Sequence, residues 1–344
     1  MMDNKAGYQR VKQALKGSFS DELAAYPIVG AVTAQLVDKN VKDYLKNPDV
    51  VVKSQLAAYE ILQQDCVTVQ TDLFIEAEAM GVRLHFPEEG VCYVTHHPLQ
   101  ERKGKIDRLM IPDPKRDGRI PYILSACKEL KNSITEAPVA GVIVGPWSLA
   151  VHLRGMKELI FDTFEDPQYV KELMKVTTET AKIVGEAMLN TGVAISLSEA
   201  AASCDIISPA IYREFIKPFH LELASHFDNL KAGITLHVCG KTIPILKDML
   251  ETKPLMISLD NKVSLEEAME IIGMDAVIMG NVDTNLFIRG SRDEMDNAVE
   301  QCIKTAYGRC RYILCSGCEV PVNAPFDSLK WFMESGRKHG LMKS

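Results

Sequence analysis

Two metal-ligand side chains stand two positions apart at the end of one apolar run, Ile234-Thr235-Leu236-His237-Val238-Cys239-Gly240. A β-branched, apolar run of this length reads as a buried strand, and alternation of side chains along a strand turns His237 and Cys239 to the same side. A second apolar run, Tyr312-Ile313-Leu314-Cys315-Ser316-Gly317-Cys318, ends in the same way, with a glycine and a thiol. Nitrogen and sulfur donors suit zinc, and three of them leave a tetrahedral ion one open position, the arrangement of a catalytic rather than a structural site. Two thiolates and a neutral imidazole would give zinc low net charge and moderate Lewis acidity. Such a site suits a bound thiolate or a polarised ether oxygen more than a hydroxide.

Other readings of the same residues stand beside this one. Buried His and Cys residues are commonly just core. Cys315 and Cys318 form a C-x-x-C pair that could complete a closed structural site with His237 and Cys239, or could cycle as a disulfide. Cys315 lies inside the apolar run and is read as core.

Whether the two strand ends meet depends on the elements between them. The chain of 344 residues is 47% hydrophobic and 25% charged, enough to bury a large core. Short apolar runs at Tyr26–Val32, Cys66–Gln70, Val139–Gly145, Val193–Ser198, Ile234–Gly240, Leu255–Asp260, Ala276–Gly280 and Arg311–Ser316 read as strands, each followed by a helical pattern. Asp166-Pro167 caps the longest helix, which runs to Asn190, and Ser208-Pro209 opens another that must break or bend at Pro218. This alternation predicts a (β/α)8 TIM barrel, with an N-terminal helix at Tyr8–Lys16 as an extension; a Gly-rich dinucleotide fingerprint after strand one is absent. The whole of 1–344 reads as one domain. An insertion spans 82–119, a hairpin of Val82–Phe86 with Val91–Val94 followed by a long loop rich in Pro, Lys, Arg, Asp and Gly.

In such a barrel the C-terminal strand ends converge on one face, which brings His237, Cys239 and Cys318 together as candidate ligands. Glu199 and Asp260 end neighbouring strands and are candidates for acid–base work or for holding the ligand imidazole. Asn281 and Asp283 close strand seven and, with Trp147 after strand three and His97 in the insertion, are candidates for contact with substrate. Each has a plainer identity, as turn chemistry, packing or solvated loop.

The net charge of −7 argues against a broad nucleic-acid or anionic-membrane surface, so a macromolecular partner is expected to be a protein. The N-terminus has no apolar signal region, no run approaches membrane-helix length, and the nine cysteines are scattered, all of which point to a reducing cytoplasm.

With these residues in place, the chain resembles the uroporphyrinogen decarboxylase superfamily along nearly its whole length. The resemblance rests on Val144-Gly145-Pro146-Trp147-Ser148-Leu149-Ala150, Ser208-Pro209 with Phe215 to Phe219, Leu236 to Gly240, Met279-Gly280-Asn281-Val282-Asp283 and Gly317-Cys318-Glu319-Val320-Pro321. True decarboxylases of that superfamily carry an arginine-bearing segment after strand one, resembling M-R-Q-A-G-R. Here Tyr26 to Gln35 contains no arginine. The His-x-Cys and Gly-Cys pattern is instead similar to the zinc-dependent corrinoid methyltransferase branch, which includes methylcobamide:coenzyme M methyltransferases and the methyltransferase components of O-demethylases. The resemblance implies zinc on His237, Cys239 and Cys318, a separate corrinoid protein that supplies cobalamin, and methyl transfer to or from a small molecule. A methoxylated aromatic donor is the expectation, because carboxylates at the mouth would supply acid. A thiol acceptor is the first alternative; a decarboxylase-like lyase and a structural-zinc barrel that only docks the corrinoid protein are alternatives of other classes.

Overall fold

The computed structural model describes residues 6–17, 22–100 and 103–341. Residues 1–5, where the signal-free N-terminus is read, and 101–102 of the expected loop lie outside the described residues. Nine strands are present among the described residues: β1 (Val67–Val69), β2 (Arg83–His85), β3 (Tyr93–His96), β4 (Val139–Val144), β5 (Ala194–Ser198), β6 (Ile234–Val238), β7 (Met256–Leu259), β8 (Val277–Val282) and β9 (Tyr312–Ser316). Seven of them form one parallel sheet in the order β1-β4-β5-β6-β7-β8-β9, with helices between successive strands, while β2 and β3 pair separately as the expected antiparallel hairpin.

The sheet closes without a full first strand. The expected strand Tyr26–Val32 shrinks to a parallel bridge between Ala25 and Leu314. Leu314 N–H donates to Ala24 O and Tyr26 N–H to Leu314 O, both at 3.0 Å, and on the other side Asp65 N–H donates to Ala25 O at 3.1 Å. On the Asp65 side Pro27 has no N–H to return the next ladder bond. Beyond it the backbone pairs with loop and side-chain groups, Ile28 N–H with Ser316 Oγ at 2.9 Å and Ile28 O with Val320 N–H at 2.8 Å. Residues Ala31–Val37 then form a short 3-10 helix, whose first two residues were expected to end the strand. The result is a TIM-type barrel whose first stave is a stub.

Proline sets a second local departure. Pro218 lacks the donor for an ordinary helical bond and would crowd the carbonyl one turn back, and the helix accommodates it with a π-turn over Tyr212–Ile216 before resuming at Lys217–Asn229. The longest helix, Pro167–Leu189, starts as expected, with the Asp166 side chain accepting from Tyr169 N–H.

Strand alternation divides the core in two. Leu236, Val238 and Leu314 face the surrounding helices, whereas Tyr26, Cys66, Met279, Ile313 and Cys315 pack inside the barrel. The interior is unusually sparse for such a barrel, because Thr68, Ala140, Ser196 and Thr235 are small where bulky branched residues are usual. They leave an axial cavity of about 200 Å³. The N-terminal helix Ala6–Lys16 covers its lower end with Val11 and Leu15, and His237, Cys239 and Cys318 line its upper end.

Candidate metal centre

β6 supplies the first two donors. Thr235, His237 and Cys239 alternate with the helix-facing residues and all line the axial cavity. Gly240 follows in the left-handed region at φ +69°, which lets the chain turn away directly after the thiol and aims its N–H at Asp260 Oδ2, 2.8 Å away. Cys318 arrives from the loop after β9. Its Sγ lies 3.7 Å from Cys239 Sγ and 3.6 Å from His237 Nε2, and Nε2 is 3.2 Å from Cys239 Sγ.

These spacings can be tested against an ion. Zinc–sulfur bonds of about 2.3 Å and zinc–nitrogen bonds of about 2.0 Å at tetrahedral angles place sulfurs about 3.8 Å apart and nitrogen about 3.5 Å from sulfur. The observed triangle matches within a few tenths of an ångström, and its soft donors disfavour magnesium or calcium. His237, Cys239 and Cys318 are the group of possible metal ligands that comes together among the described residues. Cys315 is not part of it: it is fully buried in the barrel interior beside Val277 and Met279.

The imidazole is oriented by a residue the sequence reading missed. His237 Nδ1 lies 3.0 Å from the hydroxyl of Ser258, which is fully buried on the adjacent strand β7. With Nε2 facing the sulfurs, Nδ1 carries the proton and donates it to Oγ, which fixes the tautomer needed for a ligand. The parallel register places Ser258 directly beside His237, so pairing β6 with β7 was the signal that could have found it. The thiols already favour one negative charge. Cys318 is held low, first by the Cys239 thiol and then by His237, while the same sulfur–sulfur contact and burial push Cys239 up. A bound cation would draw both to thiolate.

The other expected site residues have different partners. Glu199 is fully buried and accepts from Ser148 N–H at 2.6 Å, Trp147 N–H at 3.2 Å and His220 Nε2 at 3.0 Å. It caps the N-terminus of the helix Pro146–Arg154, where a carboxylate is stabilised by the unpaired amides and the helix dipole. A Cβ on Gly145 would collide with that carboxylate, which accounts for the glycine in the Val144-to-Ala150 motif. Asp260 spends both oxygens on backbone, Oδ2 on Gly240 and Oδ1 on Lys262 N–H at 2.9 Å. Both acids therefore shape the mouth and neither lines the axial cavity. Trp147 is fully buried packing. Asn281 Nδ2 donates to Asp260 O at 3.0 Å and Val263 O at 2.8 Å, tying two loops together. Asp283 accepts from Asn285 N–H at 2.9 Å as turn chemistry, and His97 Nδ1 donates to His152 O at 2.7 Å in the loop after β3.

One carboxyl does reach the cavity. Glu319, next to Cys318, lines it, and Gln70 donates to its Oε2. Gly30 leaves the room it occupies. Burial, reinforced by Cys318 and Asp72, pushes the Glu319 carboxyl up to about 8. Adjacency to the Cys318 thiol in Gly317-Cys318-Glu319 was the clue in the sequence.

The family model described as uroporphyrinogen decarboxylase (URO-D) matches residues 9–339. The chain is 24% identical to the methylcobamide:CoM methyltransferase MtaA of Methanosarcina barkeri, over 93% of this chain and 94% of that one. It is 25% identical to a methylated-thiol–coenzyme M methyltransferase of Methanosarcina mazei, over 81% of this chain and 74% of the relative, and 25% identical to a uroporphyrinogen decarboxylase of Myxococcus xanthus, over 87% and 85%. A solved structure described as a methyltransferase from Methanosarcina mazei superposes with a TM-score of 0.87 at 24% identity, covering 96% of this chain and 98% of that one. No helix among the described residues is long and apolar enough to cross a membrane.

Proposed function

The chain belongs to the uroporphyrinogen decarboxylase (URO-D) family, and from that premise we propose that it is a zinc-dependent methyltransferase acting between the cobalamin of a separate corrinoid protein and a small thiol. The observation that carries this reading is the triangle of His237, Cys239 and Cys318 at the open end of the barrel, with ligand-like spacing and three donors among the described residues. The printed names of the methyltransferase relatives support the thiol direction.

His237, Cys239 and Cys318 would hold the ion, and Ser258 would fix the imidazole. Zinc bound there would supply Lewis acidity that lets a thiol bind as thiolate at neutral pH. The reaction would form an S–CH3 bond from the thiolate electron pair and break the Co–C bond of the methylcobalamin substrate, whose pair would stay on cobalt, with the thiol proton released to solvent. The largely apolar axial cavity lies beneath the trio, and the Gly240 N–H bond to Asp260 keeps Cys239 at the rim.

A methoxylated aromatic donor needs an acid at the ether oxygen, and Glu199 and Asp260 are committed to backbone amides. Glu319 lines the cavity and is the group that supports this second reading. A lyase acting on a tetrapyrrole polyacid is disfavoured: among the described residues no Lys or Arg lines the axial cavity.

The test is spectroscopic. Zinc-loaded protein and methylcobalamin, free or on a corrinoid protein, are mixed with a panel of thiols, and reduced corrinoid with methoxyarenes. Loss of the methyl-cobalt spectrum with a thiol, abolished by Cys239→Ser and Cys318→Ser, is the expected result. No cobalt change with any thiol or methoxyarene overturns the reading.

A further inference from the structure

A TIM barrel ordinarily fills its axis with layers of bulky branched side chains, and one wall of this barrel does not. Along β4, β5 and the run into β6, the residues that line the axial cavity are Ala140, Val142, Ala194, Ser196, Gly233 and Thr235, of which Val142 alone is a branched hydrocarbon. Ala140, Val142 and Ser196 keep solvent-accessible surface although they lie inside the barrel, and Ala194 is exposed. Protein interiors are close-packed as a rule, so an accessible column beside three metal-ligand groups marks a ligand site.

The same wall leads directly to the sulfur trio. Gly233, Thr235, His237 and Cys239 stand at alternate positions of one chain segment and all line the cavity, with Cys318 beside them at the top. At about 3.3 Å per residue that row spans roughly 20 Å. A volume of about 200 Å³ drawn out along such a row is slender. It exceeds the roughly 150 Å³ that holds benzene in an engineered apolar cavity, but its shape suits a chain more than a ring. Tyr26, Met256 and Met279 complete the wall, and the flexible thioethers can adapt to a chain. Among the described residues no Lys or Arg lines the cavity, so a charged chain end would shed its hydration there and meet no cation. A methyl group carried by a separate protein arrives from the mouth, which leaves the axis below the trio for the rest of the acceptor.

We propose that the axial cavity receives the chain of an unbranched, uncharged thiol, whose sulfur sits at His237, Cys239 and Cys318 while its chain runs down the barrel axis along β4, β5 and β6. This names the substrate class of the methyl transfer above and rests on that reading.

Calorimetry with the zinc-loaded protein measures binding of unbranched methyl thioethers from ethyl to octyl methyl sulfide, and the parent thiols are offered methylcobalamin in parallel. Each added methylene is expected to tighten binding about 2–4-fold until the chain reaches the floor at Val11 and Leu15. A carboxylate at the end of the hexyl chain is expected to weaken binding at least about tenfold. Ser196 pairs with Thr235 one layer below His237, and Ser196→Leu puts a branched residue across the channel there. It is expected to remove most of the gain from ethyl to octyl, with the ethyl compound within about twofold and zinc content unchanged; Ala140→Leu, lower on β4, is expected to remove the gain of the longest chains only. Circular dichroism checks both folds. Affinity that is flat with chain length, or a chain-length gain that survives in both folded variants, overturns the proposal. Chain-length-dependent binding with no methyl transfer to any thiol would instead sink the methyl-transfer reading and leave the channel assigned.

Discussion

Ser258→Ala isolates the contribution of a hydroxyl that never touches the ion. Ser258 Oγ is 3.0 Å from His237 Nδ1, and both residues are buried. Removing the hydroxyl leaves the Nδ1–H without an acceptor, at a cost of about 1–3 kcal/mol, and frees the ring to rotate or to take the other tautomer. At about 1.4 kcal/mol per decade this corresponds to a roughly 5–150-fold weaker zinc affinity, which brackets the 10–100-fold typical for residues that orient a ligand histidine. Competition with a chromophoric chelator at pH 7.5 measures that affinity, and circular dichroism of the metal-free variants checks the fold. Ser258→Thr, which keeps the hydroxyl, is expected to recover most of the loss. Unchanged affinity in Ser258→Ala would refute the claim that Nε2 is a zinc ligand held in place through Nδ1.

Three further outcomes follow from other parts of the structure. Cys318→Ser is expected to lose stoichiometric zinc and methyl transfer, whereas Cys315→Ser, in the barrel interior, keeps its zinc; elemental analysis of both proteins decides between an open three-donor site and a closed C-x-x-C site. Burial raises the Glu76 carboxyl from 4.5 to about 7, so the fold holds its proton more tightly than the unfolded chain; that contribution is intact below pH 4.5 and is lost as pH rises to about 7. Glu76→Gln keeps an acceptor for Val144 N–H, and between pH 5 and pH 8 wild type should lose on the order of 2–3 kcal/mol more stability than the variant in urea titrations; parallel pH profiles would contradict the burial argument. Gly145→Ala drives a methyl into the Glu199 carboxylate and should cost about 1–3 kcal/mol in the same titrations, with zinc affinity within about threefold of wild type.

The meeting of His237, Cys239 and Cys318 was legible because its signal is local. A strand that ends His-x-Cys-Gly turns both side chains one way whatever surrounds it, and the regular alternation of strands and helices implied a barrel that gathers strand ends on one face. Seven of the eight expected staves are found near their expected positions, and the remaining one is cut to a single bridge because Pro27 has no N–H to offer on the Asp65 side and Ile28 N–H turns to Ser316 Oγ on the Leu314 side.

The fates of the carboxylates were not legible, because a strand-end position does not say whether a side chain turns inward or towards a neighbouring amide. Glu199 lies beneath a helix N-terminus and Asp260 beside the Gly240 turn, and in both cases the partner is backbone contributed by another segment. Ser258 and Glu319 were passed over for the same reason: each gains its meaning from a neighbour distant in the chain. The sequence by itself determined the imidazole and two thiols that meet, the strand that presents two of them and the ring that brings in the third. Only tertiary packing decided which buried groups were satisfied and which were left facing a cavity, because hydrogen-bond satisfaction is a property of the neighbours that converge on an atom.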